Sequence, residues 1–413
     1  MRFENVYFPY GAYWCTPFCK WQGSFAGLPP IPFAAEVARR ALAERKLDPQ
    51  RFGALHLGST VPSPSSFYGA PWLAALIGAE RLSGPTISQA CATSARLLAG
   101  AAAEIESLGA EEETVLCIAA DRTSNGPHLV YPDATAPGAR PTTEDWVWDN
   151  FQLDPFARNS MIETAENVAR EEGVSTEAQH EVVLLRHVQY QKALADEAAF
   201  QRRYMVSPIE VNPSGRKVIA SVASDEGVFP TTADGLRKLK PVLPGGTVTF
   251  GGQTYPADGN AGMVVTGKRG AREMARDAGI VIRLLAFGQG RAKKGFMPQA
   301  NLPASRQALD HANLTVGDLA AVKTHNPFAV NDISFSNGLG IPLDRMNNFG
   351  SSLIWGHPQG PTGLRLVIEL IEELVQRGGG YGLFSGCAAG DSAGALVVHV
   401  GEANEPRSPF SRA

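Results

Sequence analysis

The chain reads as an α/β protein of two similar halves, with a loop region inserted into the first. Strand-like and helical patterns alternate at both ends of the chain. In each half a strand leads through small residues into a turn and then into a long apolar helix, as an internal duplication would produce. Between about residues 126 and 245 the composition changes character. The expected division is an N-terminal domain over 1–270, with the insertion at about 126–245, and a C-terminal domain over 271–413. At 413 residues and 44% hydrophobic, the chain can bury a large core.

In order, Phe33 to Lys46 has helical periodicity, and Ala54–Gly58 reads as a short buried strand ended by glycine. Leu73 to Ala79 is a second apolar helix. The β-prone Pro85–Ile87 leads to Ser88-Gln89-Ala90-Cys91-Ala92-Thr93-Ser94, where Cys91 opens an Ala/Leu-rich helical pattern. Thr114–Ala120 is an apolar run suited to a sheet covered on both faces, with Cys117 as core. Pro-, Gly- and Thr-rich sequence around Trp146, Trp148 and Phe151 then precedes two amphipathic helices, Thr164–Glu172 and Glu177–Glu197. A long connection of this kind reads as a cover over a compact domain. Thr247–Gly252 returns to strand-like sequence, and Ala261–Thr266 is a buried strand.

The second half offers strands at Val281–Phe287, Leu319–His325, Tyr381–Ser385 and Ala395–Val400. Helices are expected at Pro303–Ala312 and Gly363–Gln376, and a loop after His325.

Net charge is −4, and the 37 basic residues are spread along the chain, which argues against a nucleic-acid or membrane-surface partner. The five cysteines are an odd number, fitting free thiols in a reducing compartment. Cys15 and Cys19 have no second cysteine pair and no nearby histidine, so no metal site is expected. The N-terminal residues lack the apolar core of a signal peptide, and no stretch is apolar enough to span a bilayer. A soluble, cytoplasmic protein is expected.

A thiol in the first turn of a helix meets unpaired N–H groups and the positive end of the dipole, both of which favour the nucleophilic thiolate. Cys91 alone is as easily a small buried residue; it needs a base to become a nucleophile. Thr324–Ala329, Asn348–Gly363 and Ser385–Gly394 place reactive residues in glycine-rich, non-periodic sequence. Such loops can aim backbone N–H groups at an oxyanion. His357, between Gly356 and Pro358 and just before a helix, is placed to act as a general base.

Together these stretches resemble the thiolase family along almost the whole chain. Cys15-Thr16-Pro17-Phe18-Cys19-Lys20 resembles its N-terminal Arg-Thr-Pro-Phe-Gly-Lys segment, with both cysteines as departures. Cys91-Ala92-Thr93-Ser94 resembles the nucleophile turn, and Thr164–Ala169 a segment of the loop domain that covers coenzyme A. Thr247–Thr249 is similar to the approach to the pantetheine loop, Gly356–Gly363 to the catalytic-histidine motif, and Cys387 to the second cysteine.

The resemblance implies a thiolase fold layered α-β-α-β-α, acting as a homodimer or tetramer with the contact in the Gly53–Gly126 region. It implies that Cys91 carries the acyl group, that His357 activates it, and that Cys387 moves the α-carbon proton. His325, in the first position of an Asn-Glu-Ala-Phe-like motif, would bind the enolate oxygen with His357. Backbone N–H groups near Cys91 and Gly390 would hold the other thioester oxygen. Thr254, Gly390, Met161 and Trp355 are the residues set against acyl group and coenzyme A. Coenzyme A enters as substrate, and no cofactor is permanently bound.

Departures bear on the substrate. Tyr255 and Pro256 replace small residues of the pantetheine loop, Trp355 replaces a small aliphatic residue, and Trp146, Trp148 and Phe151 lie in the region that shapes the acyl pocket. These point to a bulky, branched or aromatic 3-oxoacyl-CoA, such as benzoylsuccinyl-CoA, unless the aromatics are core. A small zinc-ribbon/OB-fold subunit is an implied partner of divergent branches. Competing readings are a retro-aldol lyase on the same fold, a non-catalytic acyl-CoA or lipid scaffold, and a fatty-acid-type ketosynthase; Cys91, His357 and Cys387 together favour the thiolase.

Overall fold

A computed structural model describes residues 1–403 apart from 110 and 112, so residues 404–413 of the expected C-terminal domain lie outside the described residues. The chain begins with three short strands, β1 (Tyr7–Phe8), β2 (Tyr13–Cys15) and β3 (Cys19–Lys20). Helix α1 (Pro30–Glu44) starts on prolines, whose missing N–H would have no partner in a first turn. Then come β4 (Ala54–Gly58), α2 (Gly69–Leu76), β5 (Thr86–Ile87), α3 (Thr93–Leu108) and β6 (Thr114–Arg122).

The inserted region opens with a hairpin, β7 (His128–Tyr131) and β8 (Thr142–Asp145), followed by α4 (Trp148–Gln152), α5 (Met161–Glu172) and α6 (Thr176–Ala198). It ends with the pair β9 (Ile209–Val211) and β10 (Ala220–Val222) and the short α7 (Ala233–Arg237). Strand β11 (Ala257–Thr266) and α8 (Lys268–Met274) precede the second half. That half comprises β12 (Ile280–Arg291), α9 (Asn301–Ala312), β13 (Leu319–His325) and α10 (Ala329–Leu339). It closes with α11 (Ser352–Trp355), α12 (Gln359–Gln376), β14 (Gly380–Ala388) and β15 (Ser392–Glu402).

Eleven strands form one sheet along the hydrogen-bonded path β13-β14-β15-β12-β1-β11-β6-β4-β5, with β2 and β3 also on β11, while β7–β8 and β9–β10 are separate two-stranded sheets. The two-residue β1 joins the halves: Tyr7 pairs with Thr266 on one side and Arg283 on the other. Helices α3 and α12 pack on each other and touch strands of both halves, while α1 and α2 cover the first half and α9 the second. The result is the expected mixed α/β fold in α-β-α-β-α layers. The central pair packs closely, because a Cβ on Gly363 would come 2.7 Å from the Cβ of Ser94. Since α3 and α12 follow the Cys91 and His357 loops, their packing sets the two loops side by side.

Helix α12 is not only apolar: it buries Arg365, Glu369, Glu372 and Glu373. Arg365 forks onto both oxygens of Asp225 (2.6 and 2.8 Å) and reaches Glu369 at 3.0 Å, so the inserted region is pinned to the central layer by a fully desolvated pair. The expected strand at Thr247–Gly252 is absent. The N–H groups of Thr247 and Val248, which a sheet would need, donate instead to the Glu166 carboxylate at 2.8–2.9 Å, and Phe250–Gly252 forms a short turn of helix. The chain after His325, expected as loop, runs into helix α10 within four residues. Among the described residues no helix is long and apolar enough to cross a membrane.

Candidate active site

Cys91 lies two residues before α3, not inside its first turn. Ala90 takes a left-handed φ of 43°, and the N–H groups of Ala92 and Thr93 close onto the Gln89 and Ala90 carbonyls. Thr93 lashes this turn, its hydroxyl accepting from Gln89 N–H (2.8 Å) and donating to the Ala90 carbonyl (2.7 Å). A non-glycine residue held left-handed costs about 1–3 kcal/mol, offset here by these bonds.

His357 sits on a turn made possible by Gly356, whose φ is 89°. Its N–H donates to the Tyr255 carbonyl (2.9 Å), and its Nδ1 lies 2.7 Å from the Thr362 hydroxyl. That hydroxyl has one proton and gives it to the Pro358 carbonyl at 2.7 Å. Thr362 must therefore accept from His357, which places the ring proton on Nδ1 and leaves a lone pair on Nε2. The tautomer of a general base is thus set by a threonine one helical turn on.

His325, the last residue of β13, stacks on His357 with ring centroids 3.9 Å apart. Its Nδ1 is 2.8 Å from Ser352 Oγ, which also lies 3.1 Å from Asn326 Oδ1. Asn326 in turn donates to Asp332 (2.7 Å), which holds Arg186 of α6 (2.8 Å). Both histidine Nε2 atoms are buried with no protein partner. Cys91 Sγ and one nitrogen of each ring all lie within 4.8 Å of one another.

Cys387 is buried in β14, close enough to Cys91 for its charge to be felt, and Asn331 Nδ2 lies 3.2 Å from its sulfur. Burial pushes the Cys91 thiol up to about 12, against the pull of the Ala389 and Cys91 backbone N–H groups. Burial brings His357 down to about 3 and His325 well below the usual imidazole range, the latter helped by its neighbour His357. Burial, then the nearby Cys91, holds Cys387 well above the ordinary thiol range. Desolvation thus opposes the helix-stabilised thiolate expected from the sequence and favours the neutral thiol at Cys91 and neutral rings at His325 and His357.

Above Cys91 and His357 opens a cavity of about 630 Å³. Trp146, Trp148, Phe151, Met161, Phe250 and Phe328 wall it, and among its described lining residues no side chain is a lysine, arginine, aspartate or glutamate. The Trp146 indole N–H is fixed by the Thr60 carbonyl at 2.9 Å. Asp121 holds Thr60 through both its N–H (2.7 Å) and hydroxyl (2.8 Å), and also accepts the Gly360 N–H (2.6 Å). One buried carboxylate thus ties the cavity wall to the start of α12.

Of the residues expected to meet the ligand, Met161 and Thr254 line the cavity, although the Thr254 hydroxyl already donates to the Ser352 carbonyl at 2.5 Å. Two expectations are corrected. Trp355 is fully buried and away from the cavity, its ring covered by Arg365 at 4.2 Å and edge-on to Phe18. It faces the core because α11 turns it away from the His357 loop. Gly390 lies in the β14–β15 turn, its carbonyl accepting from Arg291 (3.1 Å); the neighbouring Ala389 lines the cavity and turns its N–H to Cys91. Thr362, Ser352 and Asn331 hold the reactive groups through contacts that no sequence motif marks. Only the position of Thr362 in the His357 stretch, five residues on, could have pointed to it.

Two family models match the chain: the thiolase N-terminal domain over residues 12–269 and the thiolase C-terminal domain over residues 279–400. The chain is 26% identical over 392 residues to an acetyl-CoA acetyltransferase of Escherichia coli K12, covering 93% of this chain and 96% of that protein. It is 28% identical over 400 residues to a beta-ketoadipyl-CoA thiolase of Pseudomonas knackmussii, covering 93% and 96%. A crystal structure of human mitochondrial 3-ketoacyl-CoA thiolase in complex with CoA superposes with a TM-score of 0.84 at 25% identity, covering 96% of this chain and 98% of that one.

Proposed function

The chain belongs to the thiolase family and is an acyltransferase; on that premise we propose that it cleaves a bulky, uncharged 3-oxoacyl-CoA with coenzyme A, or runs the reverse condensation, through an acyl group carried on Cys91. The observation that carries this is a His357 ring nitrogen within 4.8 Å of the Cys91 sulfur, on a ring whose tautomer leaves the lone pair on Nε2, at the end of an apolar cavity.

In the cleavage direction the Cys91 proton passes to His357 Nε2 as sulfur attacks the 3-oxo carbon. The C2–C3 bond breaks, its electron pair remains as an enolate, and the Cys387 thiol protonates C2, releasing acetyl-CoA. Coenzyme A then attacks the Cys91 thioester, giving its proton to the Cys387 thiolate, and the leaving Cys91 sulfur recovers its proton from His357. His325 Nε2 faces the same space; at rest Ser352 gives its proton to Asn326 Oδ1 and accepts from His325 Nδ1. His325 Nε2 donates to the enolate oxygen once the Ser352 hydroxyl turns from Asn326 to give its proton to Nδ1. The Ala389 N–H serves the thioester oxygen on Cys91.

The wall of Trp146, Trp148, Phe151 and Phe250 supports an aromatic or branched acyl group. A second carboxylate, as in benzoylsuccinyl-CoA or a beta-ketoadipyl group, would find no cationic partner there, and burying it unpaired is costly. We therefore favour an aryl or branched acyl group without a second charge. The reading also includes a cytoplasmic homodimer or tetramer joined through the first half, where Phe67 and Tyr68 stand exposed, and the two-domain division at residue 270.

Intact-protein mass spectrometry of the chain alone, mixed with a panel of acyl-CoAs, tests it. An adduct present in wild type and absent from Cys91→Ala is expected, largest with uncharged aryl or branched donors. No adduct with any donor would overturn the acyl-enzyme reading or call for the small second subunit.

A further inference from the structure

We propose that Cys91, His325 and His357 also form a site for a thiophilic divalent cation, Zn²⁺ above all, whose binding holds the enzyme in a reversibly inhibited state. Three chain segments deliver the ligands: the turn before α3, the end of β13 and the loop before α12. Their donor atoms already lie within 4.8 Å of one another. In a tetrahedral zinc site, with Zn–N about 2.0–2.1 Å and Zn–S about 2.3 Å, ligand atoms stand about 3.3–3.6 Å apart, so closure needs only small side-chain shifts.

The two nitrogens available are the right ones. Each Nδ1 is engaged by a hydroxyl, Ser352 for His325 (2.8 Å) and Thr362 for His357 (2.7 Å), as the outer nitrogens of metal-bound imidazoles usually are. Each Nε2 is buried and lacks a protein partner, so a cation would satisfy two polar atoms that the fold leaves unpaired. The rings are inclined by 29° and must converge further to share a cation, with the cavity that His357 lines on the open side of its ring. The fourth position faces the cavity, where water or the thiolate of a bound thiol completes the tetrahedron.

On binding, Cys91 coordinates as the thiolate and its proton leaves to solvent. The sulfur lone pair is then committed to the metal and His357 has lost its basic lone pair. Nucleophile and base are disabled together, and removing the metal restores both.

The test is a binding experiment, independent of turnover. Metal-free full-length protein is equilibrated with ZnCl₂ and bound zinc is counted; Co²⁺ is then added as a spectroscopic probe, and alkylation of Cys91 is followed with and without metal. The expected result is one equivalent of zinc, a thiolate-to-cobalt charge-transfer band, and protection of Cys91. Affinity should fall at least about tenfold in Cys91→Ala and in His325→Gln, with circular dichroism showing each variant folded. Zinc binding undiminished in both variants, or Cys91 alkylated equally fast with zinc present, would overturn the proposal while leaving the thiolase reading intact.

Discussion

Asn331 and Cys387 form a directed pair: the amide Nδ2–H points at the thiol sulfur at 3.2 Å, and Oδ1 is engaged by the Phe328 N–H at 3.3 Å. The backbone bond fixes which end of the amide faces the sulfur, so Asn331 can only donate. A donor to sulfur favours the thiolate, opposing the burial that holds Cys387 high.

Asn331→Leu removes that donor. A hydrogen bond to a charged group is worth about 1.5–3 kcal/mol, so exchange of the α-protons of acetyl-CoA in D₂O should slow about 10–100-fold. Acylation of Cys91, followed by mass spectrometry, should continue. Equal slowing of both steps would mean that Asn331 merely supports the fold.

Thr362→Val leaves His357 Nδ1 without its acceptor and frees the other tautomer. Burst-phase acylation of Cys91 should fall about 10–100-fold with KM little changed, and Thr362→Ser should restore most of it. Unchanged acylation in the valine variant would show that the tautomer is fixed by some other contact.

Alkylation of Cys91 should report a raised thiol. Since burial places its pKa near 12, the thiolate fraction grows with pH, and inactivation by iodoacetamide should climb about tenfold per unit between about pH 7 and pH 10. A plateau near neutrality would reveal a thiolate–imidazolium pair in the resting enzyme.

Arg365→Met leaves Asp225 buried without its cation and Glu369 with Lys323 alone, and Asp225→Leu leaves Arg365 with Glu369 alone. Each should lower unfolding free energy by about 3–5 kcal/mol in urea titrations. The double variant should cost clearly less than the sum, because neither charge is then left facing a missing partner. Strict additivity would show that the two side chains do not act as a pair.

The sequence showed what is periodic or chemically marked. The β6, β13 and α12 patterns, the Cys91 turn and the His357 turn all announce themselves through apolar runs or through glycine beside a reactive side chain. Contacts between segments distant in sequence stayed hidden. β1, β2 and β3 are too short to have a period and exist because β11 and β12 pair with them. Thr247–Thr249 has strand composition, but a glutamate 81 residues away takes its N–H groups. Trp355 adjoins the His357 motif in sequence and points the other way, and the charges on α12 could not disclose that they are buried against Asp225 and Lys323. Asn331 and Ser352 matter only through which atom they face.

The buried pair between Arg365 and Asp225 governs traffic as well as stability. It anchors the overlying segment to the most deeply enclosed helix, and Arg186 anchors α6 a second time through Asp332. With the overlying segment fastened at two dry points, the way to Cys91 is the cavity itself, entered by insertion along its axis. That favours a reactive carbonyl carried at the tip of a long, slender arm over a compact molecule bearing the same carbonyl.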